Sequence, residues 1–328
     1  MLATPHDKLF TEAFGKRENA IGVLRGVIPK ALLERMDLRS LRRVEGSFID
    51  GKLRGTASDI LYSVLIDGRK ALLYVLLEHK SGADRWTSFQ LLGYAVRIWE
   101  RCLAGKPRPR HLPPVIPLVV HHSNRGFRGR TSFLDVVDPI VRETPELLRL
   151  TPRFEFLVED ISHMTDEEVR ARTADAFGRL ALLSLRDARN RRRLVAGLRR
   201  WGDLFRAILR RPEGSRALMQ VFEYLSGVAE VGLPTMARAV EATPEAERVI
   251  MTLAEQLRRE GRKQGVAQGR KQGVVQGTRK LVAAQLRAKF GRLDVKSRER
   301  LQNANLAALT RYAKRVLAAE SLAEVFAE

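Results

Sequence analysis

From Ala71 to Leu77 the chain runs Ala-Leu-Leu-Tyr-Val-Leu-Leu, hydrophobic at every position, then turns abruptly polar at Glu78-His79-Lys80. A strand with one wet face alternates apolar and polar residues, so an unbroken apolar run marks a central strand covered on both faces. A chain that builds such a strand must supply neighbours on either side and layers above and below. Ser58 to Ile66 reads as one neighbour, joined through the hairpin signal Asp67-Gly68 to a second strand over Lys70 to Lys80. Val115 to His121 reads as a third strand, again apolar. Between the last two lies a helical pattern that Asp84 can cap and that runs to about Ala104. Lys106-Pro107-Arg108-Pro109-Arg110 ends it. Ahead of all this, Leu9 to Leu33 reads as helical, with Phe10, Phe14, Ile21, Leu24, Val27 and Ile28 at helical spacing.

From about Ser132 the pattern is mostly helical, with a weak strand at Phe154 to Val158 and an amphipathic helix over Thr165 to Leu185. Thr243-Pro244-Glu245 opens a further helix, a cap residue followed by proline in the first turn. Gly261, Gly265, Gly269, Gly273 and Gly277 then recur every four residues, four of them preceded by glutamine. Each glycine costs a helix about 0.5–1 kcal/mol relative to alanine, so this stretch reads as a marginal helix or a flexible tether. A spacing of four drifts about 40° per repeat on a helix of 3.6 residues per turn. Two readings fit, a basic linker and a helix-pairing device; Arg262, Lys263, Arg270 and Lys271 exclude pairing inside a membrane. Lys280 to Glu328 has its own apolar periodicity and reads as a small helical module. The resulting division is 1–130, 131–245, 246–280 and 281–328: a mixed core, a mostly helical continuation, a basic Gly/Gln-rich helical linker and a C-terminal module.

Charge narrows the partners. Lysine and arginine number 59 against 38 aspartates and glutamates, a formal +21 in 328 residues. Residues 186–216 hold eleven arginines against three acids. Such an excess points to a polyanion, most often nucleic acid. A single cysteine, Cys102, rules out an internal disulfide framework and any multi-cysteine zinc site, and fits a reducing, cytoplasmic setting. No apolar stretch approaches the ~18 residues a membrane helix needs, and the N-terminus lacks signal-peptide character. No nucleophilic triad surrounds Cys102, and Gly126-Phe127-Arg128-Gly129 lacks the GK[ST] of a phosphate-binding loop.

The chemistry is concentrated where the apolar strand ends. Alternation puts Glu78 and Lys80 on one face and His79 on the other. Asp59 opens the partner strand of the hairpin, so adjacent strands can bring two carboxylates together. Their repulsion is relieved by a divalent cation, and Mg²⁺ takes such carboxylates with water and substrate phosphate. The plain alternative is a Glu78–Lys80 salt bridge at a strand end. On the next helix Gln90, Tyr94, Arg97 and Arg101 form a polar stripe that can face the same edge, with Arg97 and Arg101 as phosphate contacts, or form an ordinary solvent face. Trp86, Phe89, Leu92, Val96 and Trp99 are then the expected core face. His121-His122 closes the third strand, where one imidazole can look toward the active edge.

The order Asp59, Glu78-His79-Lys80, Gln90-x-x-x-Tyr94 resembles the PD-(D/E)xK nuclease core with its trailing QxxxY helix. More closely, His6-Asp7-Lys8-Leu9-Phe10, Ser47 to Asp50, Ser58 to Tyr62 and Leu76 to Ser81 resemble the Rpn family of recombination-promoting nucleases, also described as YhgA-like transposases. The glycine tetrads before a helical tail are similar too. The resemblance implies an α/β (α+β), restriction-endonuclease-like core with a mixed central sheet flanked by helices, followed by a mostly α-helical C-terminal region. It implies Asp59, Glu78 and the carbonyl of His79 as metal ligands, Lys80 as the catalytic cation, Gln90 and Tyr94 in support, and Asp7 assisting. It implies Mg²⁺ or Mn²⁺ as cofactor, DNA as partner and a role in recombination or mobile-element transfer. His121-His122-Ser123 departs from the family's usual tyrosine, histidine and glycine, and Phe127 stands near its usual tryptophan. The expected function is thus metal-dependent hydrolysis of DNA phosphodiesters. The alternatives are a non-catalytic DNA-binding or accessory protein, and a helical protein that self-associates through its C-terminal helices.

Overall fold

A computed structural model describes residues 5–44, 58–78, 85–107, 109–123, 125–173 and 175–327, with backbone alone at positions 58, 59, 77 and 78. The chain opens with α1 (Pro5–Phe14), α2 (Arg17–Val27) and α3 (Lys30–Leu33), followed by β1 (Met36–Arg43), β2 (Ser58–Ile66), β3 (Arg69–Glu78), α4 (Thr87–Ala104) and β4 (Val115–His121). Short helices α5 (Ile140–Glu143) and α6 (Pro145–Leu150) precede β5 (Leu157–Asp160). A helical body follows: α7 (Asp166–Ala171), α8 (Ala176–Asp187), α9 (Arg191–Arg200), α10 (Gly202–Leu209), α11 (Gly214–Val228) and α12 (Leu233–Ala239). Then come α13 (Pro244–Phe290), α14 (Val295–Asn303), α15 (Leu306–Arg315) and α16 (Leu322–Val325).

The five strands form one mixed sheet in sequence order. β1, β2 and β3 pair antiparallel, while β3, β4 and β5 pair parallel. Asp67 and Gly68 both adopt positive φ at the β2–β3 hairpin, the turn an Asp-Gly pair favours. β3 lies in the middle, and Ala71 through Leu76 are all buried. Its residues alternate between two cores. Leu72, Tyr74 and Leu76 pack under α4 with Leu91, Tyr94 and Ile98. Ala71, Leu73 and Val75 face the larger core that holds Phe10 and Phe14 of α1 and the α8–α12 body. The expected double coverage of this strand is what the structure shows.

Several local expectations change, and the weak strand read at Phe154 to Val158 is β5 at Leu157–Asp160. Leu9 to Leu33 is three helices rather than one, interrupted at Gly15-Lys16 and at Pro29, where proline ends helical hydrogen bonding. Thr165 to Leu185 is two, because Asp175 caps a fresh start at α8, its side chain accepting from the Gly178 amide. β1 had no sequence signal: Met-Asp-Leu-Arg-Ser-Leu-Arg-Arg is too charged to read as a strand. It is an edge strand, and such charge protects an exposed edge from further pairing.

The chain divides into two compact units, Met1–Leu253 and Ala254–Glu328. In the second, the end of α13 and the helices after it bury Val282, Leu286, Leu309, Val316, Val325 and Phe326 together. Asp294, Asn305 and Ser321 cap α14, α15 and α16. The glycine tetrads lie within the unbroken helix α13, so they form neither a loop nor a break. Among the described residues no helix is long and apolar enough to cross a membrane.

The helical body is tied by a buried arginine. Arg186, its side chain only 2% exposed, bonds the carboxylates of Asp187 and Asp166 and the carbonyl of Met164. Asp166 also accepts from Arg200 and from the Trp201 indole, 3.1 Å away. Burial by itself raises the Asp166 pKa, but these donors outweigh it and hold the value at about 2. A folded-state pKa below the ordinary carboxylate value, near ~4, stabilises fully above that pH and loses its contribution as pH falls toward 2. Asp166→Asn should therefore cost about 1–3 kcal/mol at neutral pH and flatten the loss of stability between pH 4 and 2. Urea unfolding across that range measures it; parallel curves for parent and variant would refute the linkage.

Candidate active site

In the β2–β3 ladder Asp59 pairs with Leu76, and in the β3–β4 ladder Glu78 pairs with His121. Directly paired residues share a face of the sheet, as do residues two apart on one strand. Positions 59, 76 and 78 therefore lie on the α4 face, and 59 and 78 are diagonal neighbours, a spacing of about 7–8 Å. His79, Lys80 and the proposed cap Asp84 lie outside the described residues.

The helix above this edge is held by its ring contacts. Tyr94 stacks on Tyr74 with centroids 5.0 Å apart. The Trp99 indole donates to the Pro113 carbonyl at 2.8 Å, and the neighbouring Pro114 carbonyl accepts from Leu72. Later residues of α4 thus lie over earlier residues of β3, and the helix runs antiparallel to the strand. Gln90, one turn before Tyr94, sits nearer the Glu78 end. Both stripe residues therefore lie on the sheet side, Tyr94 buried and Gln90 half-buried. Arg97 is half-buried and Arg101 exposed.

The expected core face of α4 is corrected. Leu91, Tyr94 and Ile98 pack on the sheet, while Trp86, Phe89 and Val96 are exposed by 47%, 60% and 41%. Close approach needs small residues in the first turn, and Thr87 and Ser88, both buried, supply them. Periodicity gives this helix two apolar stripes, and only the sheet selects between them.

The parallel strands add residues that the sequence did not single out. Glu78, His121 and Asp160 occupy consecutive register positions across β3, β4 and β5. Asp160 accepts from the Phe127 amide at 2.7 Å and from the amide and hydroxyl of Ser162. Burial works against its charge, yet these bonds and the nearby His121 hold its pKa below the usual range. Gly126 closes the turn at φ +72°, where a Cβ would fall 3.1 Å from the Asp160 carboxylate. The available sequence signal was a pair of acids, Glu159-Asp160, ending an apolar strand.

The two histidines part company. His121 is on the α4 side, its ring against Phe127 and its Nε2 3.1 Å from the Ser123 hydroxyl. His122 is on the α1 side, 5.4 Å from the ring of His6, which in turn lies 3.1 Å from the Tyr224 hydroxyl. Burial pushes the Tyr224 pKa up. The start of α1 is therefore at the same end of the sheet as Glu78 but against the opposite face. Asp7 lines a cleft of about 520 Å³ there with Glu12, Gln220 and Glu223.

Aspartate and glutamate supply hard oxygen donors, of the kind Mg²⁺ and Mn²⁺ accept. The residue types at 59 and 78 thus fit a divalent ion. Among the described residues no group of three or more His, Cys, Asp or Glu is gathered to hold a metal.

Residues 4–215 match the family described as "Putative transposase, YhgA-like". The recombination-promoting nuclease RpnD of Escherichia coli O157:H7 is 32% identical over 197 residues, covering 60% of this chain and 72% of the relative. RpnA of Escherichia coli K12, also named a recombination-promoting nuclease, is 28% identical over 276 residues, 79% of this chain and 85% of the relative. RpnE of the same strain is named an inactive recombination-promoting nuclease-like protein, and is 29% identical over 266 residues, 80% and 84% of the two chains. No solved structure matches the chain.

Because Asp160 ties the Phe127 amide to the end of β5, Asp160→Ala should cost about 1–3 kcal/mol and speed amide exchange at Phe127. Hydrogen exchange followed residue by residue tests this, and an unchanged Phe127 amide would remove Asp160 from that role.

Proposed function

Because the chain belongs to the YhgA-like putative transposase family, we propose that it is a nuclease acting in DNA recombination, as its relatives' names suggest. In this reading the mixed sheet is a restriction-endonuclease-like core that hydrolyses DNA phosphodiester bonds with Mg²⁺ or Mn²⁺. The observation that carries it is the register that aligns Asp59 and Glu78 on the face covered by α4. The net charge of +21 supports a polyanionic substrate.

Asp59 and Glu78 would hold the ion with the His79 carbonyl. A divalent ion so held supplies a polarised phosphate oxygen and a more acidic water. Lys80 orients the attacking water and offsets charge developing on the phosphate. Gln90 and Tyr94 fix the helix edge beside the reacting groups. Arg97 and Arg101 contact flanking phosphates, which positions the DNA without reading bases.

The test is relaxation and linearisation of supercoiled plasmid with and without Mg²⁺. Asp59→Ala and Glu78→Ala should each lower the rate by roughly two orders of magnitude or more, the scale of losing a principal transition-state contact, with DNA binding kept or tightened. RpnE motivates a second reading, a DNA-binding protein without cleavage. Salt-sensitive binding by a parent that never cuts under any divalent ion would establish that reading and defeat the first.

A further inference from the structure

We propose that Trp86 and Phe89 form a stacking platform for unpaired bases, so that the substrate is single-stranded or locally opened DNA. This rests on the nuclease reading and names the substrate class of that same site.

The two rings are large apolar side chains left exposed together at the N-terminal end of α4. Trp86 and Phe89 are 47% and 60% exposed, at the start of a helix whose other side is packed. Their level along the strand is set by the Tyr74–Tyr94 contact. Trp86 lies eight residues before Tyr94, about 12 Å back along the helix at 1.5 Å per residue. Glu78 lies four residues beyond Tyr74, about 13 Å along the strand at 3.3 Å per residue. Since helix and strand are antiparallel, the start of α4 that carries both rings lies over the end of β3 that carries Glu78.

The surroundings select the occupant. The Arg85 guanidinium lies 4.8 Å from the Trp86 ring centroid. Between 85 and 110 the chain carries Arg85, Arg97, Arg101, Lys106, Arg108 and Arg110 against Glu100 alone. A second copy docked on this face would set that positive segment against itself. A nucleic acid brings phosphates to the cations and π-faces to the rings. Bases inside a duplex are already stacked on one another, so the rings favour a strand whose bases are free to turn out.

The probe is a fluorescein-labelled oligothymidylate, compared with a duplex of equal length, titrated with the full chain in EDTA so that cleavage plays no part. Trp86→Ala combined with Phe89→Ala should weaken single-strand binding about tenfold and leave the duplex within about twofold. Trp86→Phe should retain most of the single-strand affinity. Equal loss on both probes, or loss on neither, overturns the proposal. So does concentration-dependent self-association that the double variant abolishes while single-strand binding is unchanged, since a second copy would then be the occupant. Failure of the nuclease reading is separately visible: a parent that cuts nothing in Mg²⁺ but loses single-strand binding through Trp86 keeps the platform and forfeits the chemistry.

Discussion

Burial of β3 on both faces is the constraint from which the other arrangements follow. Its residues alternate between two cores, so α4 must cover one side and α1 with the helical body the other. Apolar burial of this kind contributes about 25 cal/mol per Å², and a strand that contributes it on both faces has no wet side on which to carry chemistry. Polar groups can gather only where the strand leaves the sandwich. That is the end where Glu78 stands in register with His121 and, one strand on, with Asp160.

The change from antiparallel to parallel pairing at β3 adds to this. The β2–β3 hairpin returns Asp59 to the end where β3 finishes, while the α4 crossover returns β4 parallel with its own polar end at the same level. Residues far apart in the chain thus meet at one edge. Asp160 shows the cost of holding such an edge in order: its carboxylate is spent on the Phe127 and Ser162 donors, a loop-fixing role. His121 and His122 show the opposite effect of the pleat, which sends adjacent imidazoles to different layers.

The positive charge is of two kinds. In the arginine-rich segment, Arg186, Arg193, Arg200 and Arg211 pair with Asp187, Asp166 and Asp175, so much of that charge ties the helical body together. From Gly261 to Phe290 the chain has eight lysines and arginines and no acid, on one helix. The five glycines there meet no neighbour that an added Cβ would touch. Nothing within the second unit requires their smallness.

Much of the core was legible because it depends on short-range pattern. The bounds of β2 and β4, the Asp-Gly hairpin, the two-faced burial of β3 and the Pro244 helix start all follow from local alternation, turn chemistry and capping. The register that makes positions 59 and 78 diagonal neighbours was legible for the same reason, since a hairpin turn sets it. What the tertiary structure alone decided concerns choices between faces and partners. β1 became a strand despite its charges because an open sheet edge accepted it. α4 buried Leu91, Tyr94 and Ile98, leaving Trp86 and Phe89 outside, because close packing favours small residues at the first turn over large rings. Asp160 joined the strand-end row through a parallel pairing that no local spacing encodes. Sequence pattern determines which residues avoid water; which of several apolar stripes meets which surface depends on shape complementarity across the fold.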